Sequence, residues 1–304
     1  MIHVDPQSGS VSTCLEYAPP EDSLLGHEAA ISLQASTIES GRLYTCSETE
    51  VLVYELPSFE LAHQVSLPLF NDVHHARPTP TGNIVVANAG LEMVVEITPD
   101  GQVVNLWNVL GEDPWLRFDQ DHDYRKVSTK PHRAHPNFVF YIGTELWATR
   151  FHQGDAISVE QPERSIQVSS ERIHDGVVHE NHIYFTSVDG KVIIADAKSL
   201  QIVETIDLMS LDESRAVLGW CRGILIDGDR IWIGFSRIRP TRFRENVGWV
   251  ARGLQRDRPT RIACYDLGSL SCIAEIELES VGLAAVYSIL PAAEATESSS
   301  PEMQ

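Results

Sequence analysis

The chain has 304 residues, of which 43% are hydrophobic and 22% charged, so it is long enough and apolar enough to build a sizeable globular core. Its formal net charge of −20 argues against nucleic acid and anionic membranes as partners, because both are polyanions. The five cysteines form no CxxC pair, and neither a secretory leader nor an apolar run of membrane-spanning length is visible. We therefore expect free thiols and a cytoplasmic location.

Hydrophobic runs of strand length follow one another along the chain, and Gly, Asn and Asp separate them. The clearest unit spans residues 71–107, where Thr-Gly, Ala-Gly and Asp-Gly divide four strands. A hairpin is predicted at the N-terminus and a lone strand near the C-terminus. In chain order the predicted pieces are the hairpin 1–17, the four-strand units 30–67, 71–107, 135–170, 172–208 and 219–278, and the strand 283–291.

Four-stranded units repeated at this spacing predict an all-β fold, a β-propeller. We predict six blades, the sixth formed by the N-terminal hairpin and the last strand, and the alternative is a five-bladed ring with an appended hairpin. No amphipathic helix separates the strands, which disfavours a parallel α/β fold. The propeller domain is predicted over residues 1–291, followed by a polar, disordered tail at 292–304.

Two long connections interrupt the repeats, at residues 109–133 and 238–261. In a propeller the first strand of each blade lines the central channel, and both connections then emerge on one face. Loops on a rigid scaffold usually carry function. Simple surface decoration is the other interpretation.

One residue per blade is expected to point at the channel. Because strand side chains alternate, only one of His74 and His75 should face the axis, and we predict His75. His135 lies two residues before the channel position of its blade. Counting back nine residues from equivalent positions of the second strands selects Gln34, His75, Asn137, His174 and Arg222.

Three of these histidines, His75, His135 and His174, could ligate Zn, Fe, Cu or Ni and leave one position open. They could instead act as general acid and base without a metal, or be structural histidines satisfied by hydrogen bonds. Asp72 and Asp175 flank the histidine positions, and Asp175 could orient an imidazole. The pattern leaves these three interpretations open.

The second connection is rich in arginine: eight of the 23 basic residues lie between positions 237 and 261. We expect Arg150, Arg237 and Arg239 to join Arg222 in holding a small anion, because guanidinium groups match carboxylate, sulfate and phosphate. Tyr124 and Arg125 on the first connection could form a lid or supply a proton. A solvated loop paired with the surplus carboxylates is the alternative.

The repeats resemble six-bladed propellers of the SMP-30/gluconolactonase-like and NHL-type class. In gluconolactonases a divalent metal is held by Glu, Asn and Asp in the channel, whereas this chain offers His and Arg there, so the resemblance does not imply lactone hydrolysis. Residues 74–88, HHARPTPTGNIVVAN, also resemble a blade start of bacterial arylsulfotransferases, in which a channel histidine carries the sulfuryl group. That similarity implies sulfuryl or acyl transfer on an anionic substrate.

Together these observations predict a cytoplasmic β-propeller enzyme that acts on a small anionic metabolite, with metal ligation or proton transfer by the histidines. The reaction class stays open among hydrolysis, lyase or isomerase chemistry, and group transfer. The alternative is a non-catalytic propeller that binds a protein or a ligand on the same face.

Overall fold

Five four-stranded antiparallel sheets make up most of the chain in the computed structural model, which describes residues 1–18, 32–212, 218–237 and 258–292. The prediction of an all-β propeller is confirmed. The first sheet comprises β3 (Thr37–Glu39), β4 (Arg42–Cys46), β5 (Val51–Glu55) and β6 (Glu60–Val65). The second comprises β7 (Val73–Pro78), β8 (Ile84–Asn88), β9 (Met93–Ile97) and β10 (Val103–Asn108). The third comprises β11 (Pro136–Ile142), β12 (Glu145–Arg150), β13 (Asp155–Ser158) and β14 (Ser165–Gln167). The fourth comprises β15 (Ile173–His179), β16 (His182–Ser187), β17 (Lys191–Asp196) and β18 (Ile202–Asp207). The fifth comprises β19 (Trp220–Asp227), β20 (Arg230–Ser236), β21 (Arg261–Asp266) and β22 (Ser271–Glu277).

The first strands of neighbouring sheets lie against one another, β7 with β11, β11 with β15, and β15 with β19. A parallel bridge between Ala35 and His75 joins the first sheet to the second. Four of the five outer strands, β6, β10, β18 and β22, are the most exposed, while second and third strands are almost wholly buried. This gradient places the first strands at the centre of the ring, as the propeller prediction requires.

The N-terminal segment and residues 283–290 pack between the fifth sheet and the first. A separate hairpin, β1 (Ile2–Val4) and β2 (Val11–Thr13), shares an apolar cluster with Leu283, Val286 and the fifth sheet. Leu15 and Leu290 pack on the first sheet. Residues 283–290 form no strand, so the described chain has five blades with an appended hairpin. The alternative is therefore correct, and the preferred count of six is not.

In four of the five blades the ladder between first and second strand shifts register near its start, at His74, at Asn137, after His174 and after Cys221. Such β-bulges bend a strand and redirect its side chains. They occur at the same end of each first strand, where the connection 109–135 also lies. The repeats therefore gather irregular backbone at one mouth of the channel.

No helix in the described ranges is long and apolar enough to cross a bilayer. All five cysteines are free thiols, as the sequence predicted.

Candidate metal centre

Asp72, His74 and His135 converge at this channel mouth. One ligand atom from each lies within 4.8 Å of the others, which makes them a group that could hold a metal ion. Asp72 directly precedes β7, His74 is the second residue of β7, and His135 directly precedes β11. The ligands thus come from matching positions of two neighbouring blades. We call these three residues the Asp/His cluster.

Both residues that precede the strands have left-handed backbone, with φ of +50° at Asp72 and +58° at His135. Such a conformation costs a non-glycine residue roughly 1–2 kcal/mol. Backbone hydrogen bonds hold it in both blades: the Asp72 carbonyl accepts from Ala89 N–H at 3.3 Å and the His135 carbonyl from Phe151 N–H at 3.2 Å. Strained backbone at matching positions is typical of functional sites.

Hydrogen bonding fixes which nitrogen of His74 carries the proton. Nδ1 lies 2.7 Å from the Asp72 carbonyl oxygen, which can only accept. Nδ1 therefore donates, and the neutral ring presents its lone pair at Nε2. This is the form in which an imidazole ligates a metal.

A chain of hydrogen bonds does the same for His135. The Asn71 amide nitrogen donates to two backbone carbonyls of the connection, so its Oδ1 accepts from Thr129 Oγ1 at 2.9 Å. Thr129 then accepts from His132 Nε2 at 3.2 Å, and His132 Nδ1 accepts from His135 Nδ1 at 2.7 Å. The chain leaves His135 Nε2 with a lone pair.

Glu92 holds the backbone that carries His135. Its carboxylate is buried and accepts the backbone N–H groups of Arg133, Ala134 and His135, the last two at 2.6 and 3.2 Å. Arg117 lies 3.4 Å from the same carboxylate and balances its charge. A buried carboxylate that accepts three backbone donors fixes the segment firmly.

The electrostatics favour neutral imidazoles. Burial lowers the pKa of His74 and of His132, against the opposing charge of Asp72 in both cases. Burial, followed by His74 and His132, holds the pKa of His135 well below its usual 6.5. All three rings are therefore mainly neutral at pH 7, and His74 and His135 each keep an Nε2 lone pair that can accept a metal or a proton.

His75, predicted as a ligand, takes no part in this group. Its Nδ1 accepts the Val139 N–H at 3.1 Å, so Nε2 carries the proton and donates to Thr37 Oγ1 at 2.9 Å. The ring stacks on Phe138 at 3.7 Å. With both nitrogens used and the side chain fully buried, His75 offers no lone pair to a metal.

Counting back nine residues from the second strand selected His75 instead of His74 for two local reasons. The turn between β7 and β8 has five residues, 79–83, where the other first hairpins have two. The bulge at His74 then breaks the alternation. His74, Asn137 and His174 are therefore the matching set, since each is the second residue of its first strand.

His174 lies beside the Asp/His cluster without belonging to it. Asn137 Nδ2 donates to its Nδ1 at 2.8 Å and to the Ile173 carbonyl at 2.9 Å, and Thr149 Oγ1 donates to Asn137 Oδ1 at 2.6 Å. His174 Nδ1 is therefore an acceptor, and Nε2 carries a proton. That buried N–H has no hydrogen-bond partner among the described residues.

Arg222 lies near the same mouth, with its guanidinium carbon 4.3 Å from the centre of the Tyr287 ring. After burial, its charge is the next cause that lowers the pKa of His174, and it also lowers that of His74. Asp175 accepts from Thr186 Oγ1 and from Gly223 N–H, so it does not orient an imidazole as predicted.

The other predicted arginines lie on neighbouring carboxylates. Arg150 binds Asp155 with two nitrogens, at 2.8 and 2.5 Å, and Arg125 binds Asp123 likewise, at 2.9 and 2.7 Å. Arg237 lies 3.4 Å from Glu279. The structure does not bring Arg150 or Arg125 to the cluster. Arg239 and most of the arginine-rich insertion lie outside the described residues.

Two further predicted residues have structural partners. Tyr124 is buried; its hydroxyl accepts the Asp119 N–H at 2.6 Å and its carbonyl accepts from Asn71, so it anchors the connection. Gln34 donates from Nε2 to Ser32 Oγ at 3.3 Å, and its buried Oε1 has no hydrogen-bond partner in the described chain.

Sequence reasoning missed His74, His132 and Glu92. His132 and His135 are three residues apart in KPHRAHP, a spacing that could have marked a pair. Nothing in the sequence marks Glu92, since its role depends on a contact with backbone 41 to 43 residues away.

No protein-family model matches the chain, and no curated protein does. Among solved structures it is similar to a protein of unknown function from Bacteroides caccae, with a TM-score of 0.60 and 11% identity over 87% of this chain and 88% of that one. It is also similar to the β-propeller domain of Cps50 (Swd1) from Myceliophteria thermophila, with a TM-score of 0.52 and 12% identity over 81% of this chain and 73% of that one. At such identities these similarities show the fold alone, a β-propeller, and membership of the SMP-30 or NHL-type class is not confirmed.

Proposed function

We propose that this protein is a β-propeller enzyme that acts on a small anionic metabolite with a divalent transition-metal ion bound by Asp72, His74 and His135. The observation that carries the proposal is the tautomer of the two imidazoles. Separate hydrogen bonds hold the Nδ1 proton of each ring, so both rings keep an Nε2 lone pair. One ligand atom of each ring and of the Asp72 carboxylate lies within 4.8 Å of the others. Two histidines and one carboxylate with open positions are a common catalytic ligand set.

The fit is close but not ideal. Zinc–ligand distances of about 2.0–2.2 Å place tetrahedral ligand atoms about 3.3 Å apart. The ligand atoms here are within 4.8 Å of one another, so binding an ion would draw the side chains together by about 1 Å. When bound, the ion would supply Lewis-acid polarisation of a substrate oxygen or an activated water. The chain's own residues hold the ligands: Glu92 fixes the His135 backbone, and His132 fixes its tautomer.

Arg222 supports an anionic substrate because it brings a positive charge to a strongly acidic protein at the mouth that holds the cluster. The five free thiols support a cytoplasmic location. Hydrolysis, lyase or isomerase chemistry, and group transfer all use this kind of site.

The test is metal analysis of purified protein dialysed against Zn²⁺, Mn²⁺ or Fe²⁺. We expect one ion per chain in the wild type, and a drop in affinity of more than 100-fold in His74→Ala and His135→Ala. His63→Ala is the matched control, because His63 lies on the outer strand β6, away from the mouth. The proposal is contradicted if folded wild-type protein binds no stoichiometric metal, or if His63→Ala loses as much metal affinity as the cluster variants. Either result favours the non-catalytic alternative.

A further inference from the structure

Four residues hold matching positions directly before the first strands of blades two to five: Asp72, His135, Arg172 and Gly219. The first two belong to the Asp/His cluster. Because first strands run in the same direction around the ring, Arg172 begins its blade at the same mouth of the channel. It was not singled out by the sequence pattern.

The guanidinium of Arg172 differs from those of Arg125 and Arg150. Its carbon lies 5.4 Å from the centre of the Phe151 ring, and it has no ion-pair or hydrogen-bond partner within the described ranges. Phe151 in turn contacts His174, with ring centroids 5.0 Å apart. Phe151 therefore contacts both the Arg172 guanidinium and the buried His174 ring.

His174 supplies the second, independent observation. Its side chain is 96% buried, since its relative exposure is 4%, and its Nε2–H has no hydrogen-bond partner in the part of the chain that the structure describes. A buried N–H without a partner is unfavourable because it has lost its hydrogen bond to water. That cost is recovered when a ligand oxygen accepts the hydrogen bond.

The surroundings of His174 define what that ligand is. Two arginines hold neighbouring positions in the blades: Arg172 directly precedes the strand of His174, and Arg222 lies on the first strand of the next blade. The charge of Arg222 contributes to the low pKa of His174. Phe151 and Trp220 form an apolar wall, with centroids 6.4 Å apart and planes at 23°. The His174 ring lies 6.2 Å from Trp220.

We propose that His174, Arg172 and Arg222 form a carboxylate-binding subsite beside the Asp/His cluster, and that its ligand carries an apolar body which packs on Phe151 and Trp220. A planar two-oxygen group matches one imidazole N–H and a guanidinium fork. Phosphate and sulfate, with more oxygens to satisfy, usually take several backbone N–H groups as well. This inference deepens the proposed function and rests on it for the identity of the site as catalytic.

The experiment is titration calorimetry of metal-free protein, after chelator treatment, with benzoate, acetate and inorganic phosphate. We expect benzoate to bind more tightly than acetate, and phosphate to bind least. In His174→Phe, which keeps an aromatic ring but removes the N–H, benzoate affinity should fall at least tenfold. His63→Phe is the matched control and should leave it unchanged.

Arg172→Gln keeps the test sharp if His174→Phe does not fold, because Arg172 is only half-buried, and this variant should lower benzoate affinity several-fold. In wild type labelled with ¹⁵N-histidine, benzoate should shift the Nε2 resonance of His174. The inference is overturned if benzoate affinity is unchanged in both variants, or if phosphate binds more tightly than benzoate. It is also overturned if no carboxylate binds to the wild type either with or without added Zn²⁺. Loss of metal binding alone would overturn the proposed function and leave carboxylate binding on metal-free protein intact.

Discussion

The two halves of the channel mouth use the same strand positions for opposite chemistry. In the blades that begin with β7 and β11, the residues before the strands are Asp72 and His135; in the blade that begins with β15, the matching residue is Arg172. The second strand residue is histidine in both halves, His74 and His174. One half thus presents electron-pair donors and the other presents proton donors and positive charge.

The difference between the two histidines comes from a single hydrogen bond each. His74 Nδ1 faces a carbonyl oxygen and must donate, so Nε2 of the neutral ring carries a lone pair. His174 Nδ1 faces the Asn137 amide nitrogen and must accept, so its Nε2 carries the proton. The same side chain at matching positions is therefore prepared to ligate a metal in one blade and to donate a hydrogen bond to an anion in another. The neighbour, more than the residue type, decides the role.

The largest expected effect separates His75 from His74. Removing the buried, stacked and doubly hydrogen-bonded His75 ring by His75→Ala should lower the free energy of unfolding by about 3 kcal/mol. His74→Ala should cost much less stability while removing metal affinity. Urea denaturation of both variants measures this. Equal destabilisation by the two substitutions would mean that His74 is also mainly structural.

Glu92→Gln should weaken metal binding about 10- to 100-fold, which is typical for the loss of a group that orients a ligand. The amide replaces one carboxylate oxygen with a donor that faces the N–H groups of residues 133–135. The measurement is the metal dissociation constant of folded protein, which a loss of stability alone does not change. Glu96→Gln, on the neighbouring strand β9, is the control. An unchanged constant would show that Glu92 does not position His135.

Asn137→Asp should change His174 Nε2 from a proton donor into a lone-pair donor like Nε2 of His74. A carboxylate at position 137 accepts from His174 Nδ1, which leaves Nε2 as a lone pair in the neutral ring. Benzoate affinity should then fall about tenfold, with Asn181→Asp in an exposed turn as the control. Retained benzoate binding would contradict the assigned tautomer.

Acid should destabilise the fold through the buried histidines. The pKa of His174 is held well below 6.5, mainly by burial, so below pH 6.5 the unfolded chain binds a proton that the folded chain does not. The stability from this residue is present above pH 6.5 and is lost as pH falls toward its folded pKa. His174→Phe should reduce the loss of stability between pH 6.5 and 5.5 by up to about 1.4 kcal/mol, while His63→Phe should not. Parallel curves for wild type and His174→Phe would contradict the neutral, buried state of the ring.

Much of the fold followed from the sequence, because Gly and Asp turns between short apolar runs define blades locally. The blade count did not, since residues 283–290 have strand-like composition but pack as an extended segment without a ladder. His135, which the sequence predicted as a ligand together with His75 and His174, lies with Asp72 and His74 in the Asp/His cluster. His75 was chosen over His74 because a bulge and a five-residue turn cannot be read from alternation. Glu92 and Arg172 depend on contacts between blades, which no local pattern encodes.

The most direct test of the account is a crystal structure of protein soaked with Zn²⁺ or Mn²⁺, with diffraction data on both sides of the metal absorption edge. We predict one strong anomalous peak within bonding distance of the Asp72 carboxylate and of Nε2 of both His74 and His135. A peak on other residues, or no peak at this channel mouth at saturating ion, would contradict the assignment of the Asp/His cluster as a metal centre.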